Sequence, residues 1–432
     1  MYITSPARVE GSAPGCCRSH GALPRTGSTY SESVCGASPS AQWCRGLQTI
    51  ELSTHESIRE IPEAEWASLA SDGTPPFLSW TFLDVLERTG CVGARKGWVP
   101  YHLALRRNGV LVAAAPAYVK GNSEGEFVFD HGWASFAEGR LGIPYYPKLV
   151  VAVPFTPATG PRLLVRSGED PALLVGALAE ALGRVSEHLP VSSAHVLFST
   201  EDQTTKLVDS GLAHRKGLQY HWHNDGYGTF DDFLGRFNSK RRNQIRREMR
   251  APAEQDLELE TRTGRDLGPE LVDVVYEFYV STVNKYYWGR QYLNRAFFEE
   301  ICSRLPDAVL VVLARERASK RPVAGAFNLL GPRTLYGRYW GASEERPFLH
   351  FNVCYYQGIV ECIERGLSLF EPGAGGEHKL ARGFEPTLTH SAHHLVDDRL
   401  DRAVREFLGR ERAAVQEHVE AYAREPVVRR KT

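Results

Sequence analysis

The sequence predicts a mixed α/β protein made of two consecutive halves of similar design. In each half, β-type segments rich in Val, Leu and Ala precede a helical segment, and another β-type segment follows that helix. Each half then has a short element that stops at a glycine, and residues 207–212 match residues 380–384 in this respect. The repeat of about 170–200 residues is too long for a solenoid. The pattern therefore favours two duplicated α/β units.

The chain of 432 residues is long enough for two or three domains. Residues 1–45 are rich in Ser, Gly, Pro and Ala without hydrophobic periodicity, so we predict a disordered tail. A transit peptide and a spurious upstream start both fit this composition. We predict a first domain at 46–225 and a second at 226–432, with the seam near residues 224–229.

The elements of the first half follow from local signals. Apolar periodicity predicts helices at residues 63–69 and 80–88. A strand pair surrounds Asn108-Gly109, which is the strongest short hairpin signal. Asp170 as N-cap and Pro171 in the first turn predict the start of the next helix. A strand, a short helix ending at glycine and a further strand complete this half.

The second half begins with a basic helix, for which Asn238 or Ser239 is the predicted N-cap. Strands are predicted at 308–315, 322–331 and 334–343, and a helix then runs to Gly366. A last apolar run leads into FEPGAGGEHKLARGFEP, residues 370–386. This stretch combines glycines with charged side chains, which is typical of a loop shaped around a ligand.

Charge and composition exclude several classes of partner. The formal net charge is −1, so the chain as a whole has no attraction for DNA or an anionic membrane. No apolar run is long enough to span a bilayer. The eight cysteines include no CxxC pair, which argues against a zinc ribbon or a redox motif. We expect a cytoplasmic protein, with organelle targeting by residues 1–45 as the alternative.

Six stretches carry a resemblance to a known family: FVFDHGWASF, YYPKLVVAVPFTPATGPRLLV, FNSKRRNQIRREM, YWGRQYLNRAFF, LYGRYWGASEE and FEPGAGGEHKLARGFEP. They lie between residues 127 and 386, and the resemblance covers about residues 75–395. With them the chain resembles the Fem-related (FemAB-like) predicted N-acyltransferases of peptidoglycan biosynthesis and recognition, which have a tandem GNAT fold. The resemblance implies transfer of an acyl or aminoacyl group from acyl-CoA or aminoacyl-tRNA to an amine acceptor such as a cell-wall precursor. We expect direct attack, without a metal or a bound cofactor.

The glycine-rich stretch at 370–386 is the predicted catalytic loop. Its glycines let backbone N–H groups approach a ligand closely. Fem-type enzymes have an aspartate on the preceding strand, where this chain has Glu371, and a Phe-Lys pair, for which Lys379 or Arg382 is the substitute. A carboxylate or imidazole serves proton removal, and fixed cations stabilise an oxyanion. The predicted catalytic residues are Glu377, His378, Lys379 and Arg382.

The basic helix is the predicted donor contact. Its arginines recur at helical spacing and form a local anion-binding face on a neutral protein. A solvated face paired with nearby acids is the simpler alternative. RYWGAS (338–343) is the nearest match to a CoA pyrophosphate loop, but two glutamates follow it and disfavour ordinary CoA binding. The predicted donor-binding residues are Lys240, Arg242, Arg246 and Arg338.

The densest family signature lies in the first half, and the resemblance suggests an acceptor site there. It brings a carboxylate, an imidazole, aromatic rings and a cation close together in sequence. A buried tryptophan with ordinary core partners is the alternative. The predicted acceptor-binding residues are Asp130, His131, Trp133, Tyr145, Tyr146, Lys148 and Thr159. Aromatic residues at 286–288 are predicted either to wall a cleft between the halves or to pack in the core.

A second function stays open on these residues alone. A duplicated acyltransferase scaffold without turnover would be a recognition protein for a peptidoglycan-like peptide or an RNA. The imperfect match to the Phe-Lys pair motivates this alternative.

Overall fold

A computed structural model describes residues 50–285 and 290–428. The predicted tail at 1–45 and the aromatic group at 286–288 lie outside the described residues. Within the described ranges the protein is a mixed α/β structure, as the sequence predicts. Its strands form one sheet of four and one of eleven.

The strands of the first half are β1 (Ile50–His55), β2 (Trp98–Pro100), β3 (His102–Arg107), β4 (Val110–Ala115), β5 (Ala117–Lys120), β6 (Lys148–Val151), β7 (Leu164–Val165), β8 (Ser193–Ser199) and β9 (Ala213–His223). Its helices are α1 (Glu63–Ala67), α2 (Trp80–Arg88), α3 (His131–Phe136), α4 (Pro171–His188) and α5 (Glu201–Asp209).

The strands of the second half are β10 (Leu257–Thr263), β11 (Val309–Glu316), β12 (Pro322–Leu330), β13 (Thr334–Ala342), β14 (Leu369–Glu371) and β15 (Glu385–Leu395). Its helices are α6 (Phe230–Leu234), α7 (Ser239–Glu254), α8 (Pro269–Lys285), α9 (Arg295–Arg304), α10 (Leu349–Phe351), α11 (Gln357–Glu364) and α12 (Asp398–Arg424). A π-helical segment, Asn352–Tyr356, joins α10 to α11, and a 3-10 helix, Glu377–Arg382, precedes β15.

The two halves repeat one topology. Each has a strand, two helices, a run of antiparallel strands, a helical segment, and a strand parallel to the last strand of the run. In the first half, α3 interrupts the run before β6, and β7 precedes α4. The parallel pairs are β6 with β8 and β13 with β14. A short helix and a long final strand complete each unit. This order agrees with the two GNAT-like units that the sequence predicts.

The final strands are exchanged between the halves. The order across the large sheet is β10-β11-β12-β13-β14-β9-β15-β8-β6-β5-β2. Thus β9 pairs with β14 of the second half, and β15 pairs with β8 of the first half. The predicted boundary near residue 225 stays a prediction, because the sheet runs through both halves without interruption.

The predicted hairpin forms, but its two strands each contribute to both sheets. Asn108 and Gly109 have φ values of 51° and 79°, which the Asn-Gly sequence accommodates in a tight turn. Next to the turn, β3 and β4 pair in the small sheet, whereas β2 and β5 pair in the large one. Pro116 separates β4 from β5 and lacks the N–H that a continuous ladder needs.

Packing also joins the halves. Phe77 contacts Tyr336 edge to face at 5.0 Å, and Phe82 contacts Phe297 at 5.8 Å, within one core cluster. The predicted helix at 80–88 coincides with α2, and Asp170 caps α4 by accepting from two backbone N–H groups. The 27-residue α12 has no counterpart in the sequence predictions, and it packs on β9 and β15. In the described part of the chain, no helix has the length and apolar character to cross a bilayer.

Candidate active site

The parallel strands β13 and β14 part after three paired positions and form an open wedge. The last pair is Tyr336 with Glu371. Beyond it, β13 carries a bulge, since Phe327 is opposite Tyr339 while Asn328 is opposite Gly337, and Arg338 is the extra residue. Bulges bend a strand and re-aim side chains, often beside active sites. The bulge therefore lies just beyond the last pair of β13 with β14, at the opening of the wedge.

Glu371 is a buried carboxyl at the point where the strands part. Its residue is 4% exposed, and burial raises its pKa to about 7, against the opposing effects of the Thr159 N–H, Arg162 and Arg338. The Thr159 N–H donates to Oε2 at 3.2 Å, and His221 Nε2 lies 3.9 Å from the same atom. Burial lowers the pKa of His221 to about 3, so that ring is neutral at pH 7. A carboxyl with a pKa near 7 is suited to general base catalysis.

A loop from the first half, residues 153–160, covers this side of the wedge. Besides the Thr159 contact, the Phe155 carbonyl accepts from the Arg338 guanidinium. The Pro157 carbonyl accepts from Gln219 Nε2 at 2.9 Å. The first half thus supplies part of the surroundings of Glu371.

Lys379 is a buried cation beside the same opening. It is 2% exposed, and its ammonium donates to the Gly373 carbonyl at 2.6 Å. Among the described residues, no carboxylate lies within ion-pair distance of this ammonium. Burial lowers the pKa of Lys379 to about 8. A buried charge without a counter-ion is costly, so the site favours an anionic group or a developing oxyanion.

The opposite face of the wedge contains a small cavity of about 70 Å³. Its lining includes Arg338, Trp340, His350 and Tyr355. Tyr355 shares its hydroxyl hydrogen bond with His378 Nε2 at 2.9 Å, and burial lowers the pKa of His378, with further lowering by Arg382 and Lys379. Phe370 packs in one core cluster with Tyr355, which lines this cavity. Because side chains alternate along a strand, Glu371 lies on the opposite face. The wedge is therefore lined differently on its two faces.

Arg382 is held inside the protein by a partner on the basic helix. Its guanidinium donates to Glu248 Oε2 at 2.9 Å and to the His378 carbonyl at 2.8 Å, and it lies 3.2 Å from the Phe351 ring centre. Tyr356 donates to the same Glu248 carboxylate. The Arg382 Nε is buried without a partner in the described structure. These contacts fix the 3-10 helix that carries Lys379 against α7.

The remaining predicted catalytic and donor residues lie at the surface or near it. Glu377 and His378 are exposed, and Lys240 and Arg246 are exposed on the outer face of α7. Arg246 pairs with Asp231 at 2.9 Å. The Arg242 guanidinium donates to Ser239 Oγ at 3.4 Å. Arg338 lies apart from this helix, at the wedge.

The loop after β13 does not have the charge expected of a CoA pyrophosphate site. Glu344 and Glu345 line a cavity of about 250 Å³ together with Lys285 and Arg346. Lys285 pairs with Glu345 at 3.2 Å, and Arg346 pairs with Glu344 at 2.7 Å. The cations of this cavity are therefore already neutralised.

Most of the predicted acceptor residues come together in a buried network of the first half. Lys148 is fully buried and donates to Glu126 at 2.8 Å and to Asp130, which also accepts from Tyr145 at 2.7 Å. Tyr146 and Trp133 complete the group, with Trp133 packed edge to face on His393 at 4.9 Å. The charges of this network pair within the protein, but Glu126 Oε1 and Asp130 Oδ1 are buried without a hydrogen-bond partner in the described structure.

Two predicted acceptor residues are not part of that network. His131 is exposed at the start of α3, where it stacks on Phe129 at 6.3 Å. Thr159 lies at the second-half wedge. Five strand spacings separate β6, which carries Lys148, from β13, or about 24 Å. The network and the wedge are therefore separate sites.

Several residues at the wedge were not predicted as functional from the sequence. Glu371 was noted only as a replacement for an aspartate, yet an acid that ends an apolar strand before Pro-Gly is a usable signal. Glu248 lies among the arginines of α7, and its position in the sequence does not distinguish it from a surface acid. Tyr355 and His221 gave no local signal, because long-range packing brings them to the site. No three His, Cys, Asp or Glu side chains converge as a metal site within residues 50–285 and 290–428.

Comparison with known families gives one match over most of the chain. The FemAB-like family model, described as peptidoglycan biosynthesis/recognition, matches residues 57–430. No curated protein matches.

Solved structures with a related arrangement are distant. FemX has 12% identity and a TM-score of 0.49, covering 82% of this chain and 100% of that one. A tandem GNAT protein from the clavulanic acid biosynthesis pathway has 10% identity and a TM-score of 0.43, covering 81% and 99%. The L-PGS of Bacillus licheniformis has 9% identity and a TM-score of 0.47, covering 79% and 99%. Similarity at this level does not transfer a substrate.

Proposed function

Because the chain belongs to the FemAB-like family of peptidoglycan biosynthesis and recognition, we propose that it is an N-acyltransferase acting at the wedge between β13 and β14. It moves an aminoacyl group from a tRNA carrier to an amine of a cell-wall precursor. The observation that carries the proposal is one strand opening that holds two complementary groups. These are a buried carboxyl with a pKa of about 7, Glu371, and a buried ammonium without a carboxylate partner, Lys379.

The two groups suit the two demands of acyl transfer. The acceptor nitrogen attacks the carbonyl carbon, and the carbonyl electron pair moves onto oxygen. The Lys379 ammonium stabilises that oxyanion in a site with little water. Glu371, as carboxylate, takes the proton from the attacking nitrogen. The oxyanion then collapses, the bond from carbon to the carrier oxygen breaks, and the proton passes to the leaving hydroxyl.

Arg382 has a supporting role in this proposal. Its ion pair with Glu248 anchors the 3-10 helix that presents Lys379. His378, hydrogen-bonded to Tyr355 on the cavity side, faces the carrier. The group that stabilises the oxyanion and the group that accepts the proton then act from opposite faces of the sheet.

Charge distribution favours RNA over CoA as the carrier. In the described structure, Lys240 and Arg247 have no acidic partner within 4.0 Å and are exposed on α7. A cluster of exposed cations binds phosphates without reading bases. The loop after β13, where CoA would place its pyrophosphate, has its cations already paired with glutamates.

The test is a matched donor screen on the full chain. Purified protein is incubated with a mixture of aminoacylated tRNAs or with acyl-CoAs, each with UDP-linked muropeptides, and products are identified by mass spectrometry. We expect an amide product with aminoacyl-tRNA only, and deacylated tRNA alone does not yield it. Product with acyl-CoA and none with aminoacyl-tRNA would reject tRNA as the carrier.

The non-catalytic alternative is separated in the same screen. A recognition protein would bind muropeptide or RNA, measured as a thermal shift, without giving product from any donor. That result would reject the enzymatic proposal.

A further inference from the structure

The first half has a wedge of its own, and an arginine fills it. Strands β6 and β8 are parallel up to the pair Val151 and Val196. Beyond this pair, the Gly160 N–H donates to the Phe198 carbonyl at 3.1 Å. Arg162 Nε donates to the Leu197 carbonyl at 2.7 Å. The edge of β8 that the wedge would expose is therefore hydrogen-bonded from within the chain.

The same guanidinium fixes the loop that leads to the second wedge. Arg162 is fully buried and also donates to the Ala158 carbonyl at 2.6 Å and to the Gly160 carbonyl at 3.3 Å. Thr159 lies between these two acceptors, and its N–H donates to Glu371. Arg162 therefore sets the position of a donor that reaches the carboxyl group.

Arg162 has no direct carboxylate partner among the described residues, although it is a buried cation. Burial lowers its pKa to about 10, and the charge of Glu371 acts in the opposite direction. Reciprocally, Arg162 opposes the rise in the pKa of Glu371. The two groups are thus coupled through space although they do not form an ion pair at contact distance.

We propose that Arg162 is a positioning residue for Glu371, which holds the Thr159 N–H on the carboxylate and supplies a buried positive charge that favours its ionised form. The arginine that fills the wedge of the first half thereby positions a hydrogen-bond donor in the open wedge of the second. The kinetic part of this inference rests on the proposed function, in which Glu371 is the base.

The other titratable groups around Glu371 do not replace the buried positive charge that Arg162 supplies. His221 from β9 is neutral at pH 7, and burial raises the pKa of Tyr336 from β13, so that phenol is uncharged too. Arg338, also from β13, is the second nearby cation, but it is partly exposed. Charges shielded from solvent interact more strongly than exposed ones. Removing Arg162 should therefore raise the pKa of Glu371 measurably.

The kinetic test compares Arg162→Gln, which retains an amide donor, with Arg162→Lys, which retains the charge. For R162Q we expect the ascending limb of kcat/KM against pH to move up by about one pH unit. For R162K the limb stays within about 0.3 unit of the wild type. Arg166→Gln is the matched control, because Arg166 donates to the Leu111 carbonyl and to Ser68, remote from Glu371. A uniform loss at every pH in R162Q, or an equal shift in R162K, overturns the proposal.

A second readout does not depend on turnover. Urea unfolding of wild type, R162Q, Glu371→Gln and the double variant gives their coupling at pH 5.5 and at pH 8.5. We expect coupling of about tenfold in the unfolding constant at pH 8.5, where Glu371 is ionised, and little at pH 5.5. No coupling at either pH overturns the inference. Coupling in a chain without turnover on any donor rejects the proposed function and leaves the inference standing.

If R162Q does not fold, the carboxyl pKa of Glu371 is measured by carbon-13 NMR in wild type and R162K, with E371Q for assignment. A pKa in R162K within about 0.3 unit of the wild type supports the role of charge. A rise of about one unit or more overturns it.

Discussion

The two wedges of the molecule share a topology and differ in what occupies them. In the second half, the parallel ladder ends at Glu371, a carboxyl with a pKa of about 7. In the first half, the ladder ends at Val196, which is fully buried and apolar. Beyond that point the first wedge is filled by Arg162 and the second stays open. The two halves thus share a scaffold, whereas a buried carboxyl ends the parallel ladder in the second half alone.

The connections that follow the two wedges differ in the same way. In the alignment of residues 207–212 with 380–384, Lys206 and Lys379 occupy equivalent positions just before the matched leucine. Lys206 lies near the surface on α5 and pairs with Asp202. Lys379 is buried without a carboxylate partner in the described structure. A lysine at the same point of the repeat is therefore a surface ion pair in one half and a buried cation in the other.

The strand exchange explains how residues of both halves reach one carboxyl group. Because β9 lies between β14 and β15, His221 of the first half comes next to Glu371 of the second. The loop at 153–160 adds Thr159 to the same carboxyl. Arg162 fills the wedge of the first half, and Thr159 and His221 of the first half contact or lie close to Glu371 in the wedge of the second.

Glu371→Gln removes the carboxyl that distinguishes the second wedge from the first, and it should have the largest effect on activity. With the carboxylate gone, the attacking nitrogen has no base at the wedge, and we expect kcat to fall by about 10³-fold. The ascending limb of the pH profile, which the pKa of about 7 for Glu371 predicts near pH 7, should disappear. Steady-state kinetics between pH 5.5 and 9 measure both effects. Glu364→Gln, an exposed acid on α11, is the control and should retain wild-type rates. A wild-type profile in E371Q would show that Glu371 is not the base.

Lys379→Met sharpens the comparison between the two lysines. Methionine keeps the aliphatic length and removes the charge, so the oxyanion loses its cation and kcat should fall by about 10²-fold. Lys206→Met is the matched control from the other half, and it removes only a near-surface pair worth at most about 1 kcal/mol. Equal activity of the two variants would mean that the buried lysine has no special role.

The sequence predicted the fold more completely than the site. The repeat, the turn at Asn108-Gly109 and the caps of α4 and α7 depend on neighbouring residues, so local patterns reveal them. The strand exchange has no local signal, since it depends on which edges meet in the folded chain. The sequence analysis does not predict α12, because its few apolar positions lie among many charges.

The site was only partly predictable for the same physical reason. The loop at 370–386 was recognisable from its glycines and cations, and Lys379 is indeed at the wedge. Proximity in sequence suggests the predicted acceptor group, but most of its members form a buried, charge-paired network about 24 Å from β13. Glu371 depends on partners more than 100 residues away, which sequence spacing cannot show.

Glu248→Gln tests whether the basic helix anchors the catalytic loop. The change leaves Arg382 buried without its carboxylate, which should destabilise the protein by about 3 kcal/mol. Urea denaturation measures the loss. Glu361→Gln is a matched change on α11, where the partner Arg365 is partly exposed, and it should cost about 1 kcal/mol or less. Equal losses in the two variants would contradict an anchoring role for Glu248.

The raised pKa of Glu371 also predicts how stability depends on pH. Between pH 4.5 and 7 the unfolded chain has this carboxyl ionised, whereas the folded chain keeps it protonated. The folded state therefore binds more protons, and this group's contribution to stability declines as pH rises through that window. The decline should be about 3 kcal/mol, and E371Q should remove it. Unfolding free energies measured across the window give the difference between the two proteins. Parallel curves would mean that Glu371 ionises normally in the folded state.

The smallest effects are expected on the outer face of α7, a basic helix that has no counterpart in the described part of the first half. Lys240→Ala and Arg247→Ala each remove one phosphate contact from the proposed RNA surface. Each should weaken tRNA binding several-fold and reduce the slope of log affinity against log salt by about one. Arg410→Ala on α12 is the control, because Arg410 is exposed but pairs with Glu406 at 2.9 Å. Binding titrations at several salt concentrations separate the variants. A slope that is unchanged in both α7 variants would place the carrier elsewhere, even if turnover with aminoacyl-tRNA is found.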